Sequence, residues 1–290
     1  MADTVQQSIF RNGSRTYFHS SLFFPGPVKR DVSTLYAFVR TADDLVDSIP
    51  QKKEDFFDFC ARWRESTSGV LTGDHVIDSF TELSVRKGFS DDWTAAFLSS
   101  MEADLTKHRY ETIAELDCYL YGSAEVIGLF MARILDLPEH AFPQARMLGR
   151  AMQFVNFIRD IAEDLMLGRV YFPQEDLTRF SLASLDYATA SLHPEAFRSL
   201  VRFEIARYTG WQTAGEQGYA VIPYRYLVPI KTASDMYRWT ARVIADDPFV
   251  VFHRKVKPAV PRILAVLAAN AVRIPAGRPF RSPKYPAYGI

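Results

Sequence analysis

The stretch Tyr36–Asp47, YAFVRTADDLVD, sets Asp43, Asp44 and Asp47 within five positions at the end of an apolar-rich run. At about 100° per residue, Tyr36, Arg40, Asp43 and Asp47 fall on one narrow stripe of a helix, with Asp44 beside it. The surrounding positions, Leu35, Ala37, Phe38 and Val39, are apolar, so such a helix belongs inside the protein. A second stretch, Gln153–Asp164 or QFVNFIRDIAED, repeats the arrangement: Gln153, Asn156, Asp160 and Asp164 share one stripe among Phe154, Val155, Phe157 and Ile158. Two buried-type helices therefore each carry a carboxylate pair four residues apart.

Buried charge is costly unless partnered. For either pair alone, an internal salt-bridge network with Arg40 and Arg159 as countercharges is the ordinary explanation. Two matching stripes favour another, because four carboxylates facing one cavity repel unless cations join them. Magnesium suits such a site, being a hard ion held by a few carboxylates together with substrate phosphate. Amides at Gln153 and Asn156 can orient water or phosphate oxygens, and Arg40 and Arg159 can meet remaining negative charge bidentately. A diphosphate between two acidic helices suggests a reaction in which it departs and leaves a carbocation, which aromatic faces stabilise and from which water must be kept.

The rest of the chain supplies the setting. Its 290 residues are 48% hydrophobic and 23% charged, a soluble globular balance, with 22 Phe and 14 Tyr to fill a helical core or line a cavity. Helical spacing recurs in DVSTLYAFVRTADDLVD, KEDFFDFCARWRESTSGVL, DDWTAAFLSSMEADLTKHR and ARMLGRAMQFVNFIRDIAEDLML, with breakers between them and no sustained strand alternation. The expectation is one all-α domain over residues 1–290, ending in an irregular basic tail from about residue 274. Net charge is zero, so no global field points to nucleic acid. Yet Pro248–Ile290 holds eight Lys/Arg and no Asp/Glu, a segment that is either solvated or in contact with anionic lipid. Cys60 and Cys118 alone imply neither a disulfide framework nor, with six scattered His, a zinc site. The opening MADTVQQSIF does not read as a signal peptide, and the apolar run near Ile263–Val272 is too short to span a bilayer. These features suggest the cytoplasm, with peripheral membrane contact as an option. The sequence leaves monomer or homodimer open.

YAFVRTADDLVD and NFIRDIAEDLMLGRVYFP resemble the two aspartate signatures of the squalene/phytoene synthase family, the head-to-head trans-prenyl synthases. GSRTYFHSSLFFP, DLTKHRYETIAELDCYLYGSAEVIG and GRVYFPQEDL resemble three further family segments, and the likeness runs from about Ile9 to about Leu264. The resemblance implies an isoprenoid synthase fold around a deep cavity holding two allylic prenyl diphosphates with Mg2+, or Mn2+ in its place. One substrate ionises and its C1 attacks the double bond of the other. The resulting cyclopropylcarbinyl diphosphate then rearranges to a linear hydrocarbon. Carried over, Asp43, Asp47, Asp160 and Asp164 are metal ligands, with Asn156 and Gln153 on metal, water or diphosphate. Ser14, Arg15, Thr16, Arg40 and Arg159 hold diphosphate. Tyr36 and Tyr119 line the reacting carbons, Arg169 and Tyr171 belong to a closing flap, and Tyr237 and Arg254 approach the second substrate.

YFHSSLFFP followed by LYAFVRTADDLVD is more similar to short microbial phytoene synthases, which use two C20 geranylgeranyl diphosphates. The alternative is squalene or dehydrosqualene synthesis from two C15 farnesyl diphosphates, with NADPH needed only for squalene. A non-catalytic binding relative would have lost acidic ligands, and the RDxxED form argues against a head-to-tail synthase or cyclase. Two positions depart from the family pattern. Glu125 replaces a glycine at a tight helix contact, where it either turns outward or narrows the tail channel, and Arg262 stands where a lysine is expected.

Overall fold

The computed structural model describes Gln6, Ser8, Ile9 and residues 21–274, so Ser14, Arg15, Thr16 and the tail beyond Ile274 lie outside the described residues. Among those described, no strand forms, and one parallel bridge joins Arg109 to Val170. The all-α expectation holds.

The first acidic stretch ends α1 (Gly26–Asp47), which follows Pro25 and carries a proline in its first turn. Then come α2 (Lys53–Thr67), α3 (His75–Lys87) and α4 (Asp91–Ala103). Helix α3 shows how local chemistry fixes both ends. The Asp74 carboxylate accepts from the Val76 and Ile77 amides, and Gly88 closes the helix in the left-handed conformation at φ 64°. The chain continues through α5 (Ile113–Leu120), one π-helical turn (Tyr121–Glu125), α6 (Val126–Ile134), α7 (Phe142–Arg159) and α8 (Ile161–Met166). Short helices α9 (Gln174–Arg179) and α10 (Tyr187–Leu192) lead to the long α11 (Pro194–Glu216) and α12 (Tyr224–Asp246), then α13 (Val250–His253) and α14 (Val260–Arg273).

Helix α7 is central, packing on α6, α11 and α12. Two glycines let α7 and the π–α6 segment approach backbone to backbone. A Cβ on Gly128 would lie 2.2 Å from the Ala145 carbonyl oxygen, and one on Gly149 would lie 2.4 Å from that of Ala124. One aromatic core, with Phe38 stacked on Phe80 at 3.8 Å, joins α1 to α2, α3, α4 and α6. A second, around Phe154, Phe172 and Tyr208, joins α7 to α11 and the loop before α9. These two cores absorb most of the buried aromatic residues.

Two expectations need correction. The helical pattern read over residues 91–109 stops at Asp104, whose carboxylate accepts from the Tyr119 hydroxyl at 2.7 Å and the Tyr171 hydroxyl at 2.8 Å. Helix Gln153–Asp164 is not continuous either, because Asp160 sits between α7 and α8 at φ −100°, ψ 16°. The i→i−4 bonds persist on each side, from Asp160 N to Asn156 O and from Asp164 N to Asp160 O, both 2.8 Å. The kink has a visible consequence. Successive residues do not face each other on a regular helix, yet Arg159 grips its neighbour Asp160 through Nε at 2.8 Å and Nη2 at 2.5 Å.

Candidate active site

An apolar cavity of about 280 Å3 lies between α1, the π–α6 segment, α7 and the start of α12. Its walls include Val32, Leu35, Ile127, Met131, Leu148 and Ile230, and its polar residues include Tyr36, Gln153 and Asn156. These three come from the two stripes singled out in the sequence. Phe24, Tyr36 and Tyr219 are the aromatic side chains on the wall.

The two acidic helices meet beside this polar end. Arg169 ties them together: its Nη1 donates to Asp47 Oδ1 at 2.6 Å and its Nη2 to the Val46 carbonyl at 2.8 Å, while its amide donates to the Asp164 carbonyl at 2.8 Å. Arg169 is buried, and the Asp47 charge reaches the carboxyls of both Asp43 and Asp164. The stripes therefore lie together, with Asp43 and Asp47 each still about a third exposed.

Each carboxylate has a distinct environment. Burial, reinforced by the Asp47 charge, pushes Asp43 up to about 7 although Arg40 Nη1 donates to it at 2.7 Å. Burial, then Asp160 and Asp47, raises Asp164 well above the usual carboxylate range. Asp160 goes the other way: burial alone would raise it, but the Arg159 hydrogen bond and charge, with Lys255 at 3.1 Å, hold it below normal. Asp44 is the most exposed of the first triad and pairs with Arg40. A cluster of mutually repelling carboxylates of this kind suits a hard cation. Among the described residues no three acidic, His or Cys side chains converge to hold one, Asp43, Asp47 and Asp160 being turned partly toward Arg40, Arg169 and Arg159. The fit shows elsewhere: Asn156 Oδ1 is buried with no hydrogen-bond partner, its amide nitrogen reaching Gln153 at 3.3 Å. An orphaned carbonyl oxygen at the cavity's polar end is a donor in waiting for a cation or its water.

The structure gathers most, not all, of the predicted residues. Tyr36 is half-buried on the wall, with its phenol raised by burial. Tyr237 lies close enough to influence both Tyr36 and Arg159. Tyr119 and Tyr171 are buried and converge on Asp104, and Tyr171 stacks on Phe157 at 4.0 Å. Neither Tyr119 nor Tyr171 is on the cavity wall. Arg254 is exposed at the end of α13. Its neighbour Lys255 takes the inward position, pairing with Asp160 and Glu163.

Sequence reasoning missed Asp104 and Lys255. Asp104 had a signal: it interrupts a buried apolar series of Phe97, Leu98, Met101 and Leu105. It is pushed up to about 6 by burial, against the lowering pull of Arg169 and the two tyrosine hydroxyls. Lys255 had none beyond belonging to a basic segment. Glu125 neither turns outward nor lines the cavity. It is fully buried and accepts from Arg146 Nε and Arg150 Nε on α7, both at 2.6 Å. Arg262 lies over the Trp239 ring at 4.8 Å, on the outside of α12.

An all-helical body with paired aspartate helices at the polar end of a long apolar cavity defines the class: a prenyl-transferring enzyme of the isoprenoid synthase fold. The sequence profile described as squalene/phytoene synthase matches residues 10–262, and the chain belongs to that family of prenyltransferases. It is 28% identical over 276 residues to the 15-cis-phytoene synthase of Synechocystis sp., covering 90% of this chain and 81% of that protein. It is 24% identical over 288 residues to the 15-cis-phytoene synthase of Pantoea ananas, covering 95% and 93%. Among solved structures it superposes on a dehydrosqualene synthase with TM-score 0.82 at 22% identity, covering 93% of this chain and 95% of that one. The squalene synthase HpnC of Alicyclobacillus acidocaldarius gives TM-score 0.76 at 23% identity, covering 86% and 94%.

Proposed function

We propose that this enzyme, acting as one domain, joins two geranylgeranyl diphosphates head to head and releases phytoene. The observation that carries this reading is the facing of the two aspartate helices at the mouth of one long apolar cavity. C1 of one substrate parts from its diphosphate and bonds to the double bond of the other. Loss of a proton closes the cyclopropane of prephytoene diphosphate. Departure of the second diphosphate, rearrangement and a further proton loss give the C40 hydrocarbon. Asp43, Asp47, Asp160, Asp164 and Asn156 would hold Mg2+, or Mn2+, which when bound would neutralise the departing diphosphate.

The chain's own residues do the rest. Arg40 and Arg159 meet phosphate charge, while Gln153 and Asn156 orient it at the cavity mouth. Tyr36 presents its ring to the reacting carbons from the wall. Arg169, Tyr119 and Tyr171 pack the mouth from behind through Asp104 and Asp47, excluding water from the cation. Most of the described cavity wall is aliphatic, which keeps nucleophilic groups few around the cation.

Tail length is supported by the cavity. Along α7 its lining runs from Asn156 to Gln144, about 18 Å at 1.5 Å per residue, and continues to Ala141 just before the helix. An extended C20 tail, sixteen carbons in line, is roughly 19 Å, and a C15 tail roughly 14 Å. The test is to supply C15 and C20 diphosphates separately, with and without NADPH, and identify the hydrocarbon. Phytoene from the C20 substrate alone is expected. Squalene or dehydrosqualene from the C15 substrate would replace this reading, and inactivity with both would leave a binding protein. We place the enzyme in the cytoplasm. Among the described residues no helix is long and apolar enough to cross a membrane.

A further inference from the structure

We propose that the outward face of α14 is the surface on which this enzyme rests against an anionic lipid bilayer. Helix α14 is apolar on two sides. Ile263 and Leu267 are buried inward, and Ile274 beyond its end packs with Leu227, Val228 and Tyr219. The opposite side is exposed yet carries Leu264, Ala265, Ala268, Ala271 and Val272, with Leu264 at 44% and Val272 at 86% exposure. At about 100° per residue these five fall in one arc of about 120°. Arg262 and Arg273 lie together along one border of that arc, three turns apart, and both are exposed.

The helix cannot roll to hide this face. Asn270 Nδ2 donates to Asp235 Oδ2 at 2.8 Å and to Thr232 Oγ1 at 3.2 Å on α12, and the Tyr224 hydroxyl donates to the Ala271 carbonyl at 2.6 Å. A pinned helix with an apolar arc bordered by arginines has the form of an interfacial helix, whose apolar side enters the acyl boundary while cations meet headgroups. Charge selects the partner. Helix α14 carries Arg262 and Arg273 and no Asp/Glu, a complement to anionic lipid. A second copy docking the same face about a two-fold axis would bring Arg262 and Arg273 of the two copies together with no acid on α14 to receive them.

The position is suited to the proposed reaction, and only this purpose rests on that reading. Tyr219 and Ile222 pack with the inner side of α14 and also line the cavity. A bilayer against α14 would thus lie one layer from the wall around a water-insoluble product.

The test is flotation of the full-length enzyme, without substrate, on vesicles of phosphatidylcholine with and without phosphatidylglycerol. The wild type should float only with the anionic vesicles. Leu264→Asp with Val272→Asp should lower the bound fraction at least tenfold, and Arg273→Glu alone should lower it at least fivefold. Turnover of substrate in detergent should stay within twofold in both. The single exposed charge reversal keeps the test decisive should the double variant misfold. Failure of the wild type to float, or equal flotation of the variants, overturns the proposal. So does light scattering that finds a wild-type dimer which the variants dissolve, since the face would then join two copies. Vesicle binding needs no prenyl substrate, so this result and the product assay fail independently.

Discussion

Asp43 and Asp160 are both half-buried aspartates on facing helices, yet their neighbours drive them in opposite directions. Asp43 is raised to about 7 by burial and Asp47, whereas Asp160 is held low by Arg159 and Lys255. Asp43→Asn or Asp160→Asn should therefore cut turnover by roughly 10²–10³-fold or more while the thermal midpoint stays close to wild type. Steady-state kinetics beside a melting curve reads both, and near-normal rates in either variant would remove the ligand assignment. Asp44→Asn should matter much less, since Asp44 is more exposed and engages only Arg40 among the described residues. Asp104 is the further residue that the structure adds. Asp104→Asn keeps the size but loses the charge that receives Tyr119, Tyr171 and the nearby Arg169, and should cost about 10²-fold in kcat/KM through misplaced side chains. An unchanged kcat/KM would make Asp104 merely part of the core.

At the scale of elements, the contact of α7 with the π–α6 segment decides how wide the cavity is. Gly149→Ala puts a Cβ 2.4 Å from the Ala124 carbonyl, against backbone rather than a yielding side chain. It should destabilise by about 1–3 kcal/mol, seen in urea unfolding. A stability equal to wild type would mean that the helices separate freely. Glu125 joins the same pair of helices by charge, and Glu125→Ala removes the carboxylate that Arg146 and Arg150 share, leaving Arg150 with Asp117 and Arg146 with solvent. That should cost about 2 kcal/mol and leave the hydrocarbon product unchanged; a shift in product length would return Glu125 to the tail channel. The helices themselves were legible from spacing, because apolar periodicity is local. The end of α4 at Asp104 and the kink at Asp160 were not. The first depends on tyrosines distant in sequence and the second on a dihedral change at one residue, and the apolar spacing continues past both.

For the whole molecule, buried charge predicts the pH profile. Glu204 on α11 is fully buried, pairs with Arg207, and is raised by burial from 4.5 to about 8. The folded protein therefore keeps a proton that the unfolded chain releases between these values. Unfolding free energy from this group is greatest below about pH 4.5, declines toward about pH 8 and levels off above it. Glu204→Gln should flatten that decline in urea unfolding at about pH 5, 7 and 9. Parallel profiles for variant and wild type would contradict it.

The sequence by itself determined the helical class, the two aspartate stripes, the family and the basic C-terminal region, since each is written in spacing or composition along the chain. Only the tertiary structure decided what those stripes face. Arg169 joins Asp47 and the Asp164 backbone across more than a hundred residues. Asp104 gathers two tyrosines from separate elements, and Glu125 turns from the cavity to two arginines on α7. The reason is physical: a side chain's charge and partner depend on which elements burial brings together, and local periodicity fixes only the face on which that side chain begins.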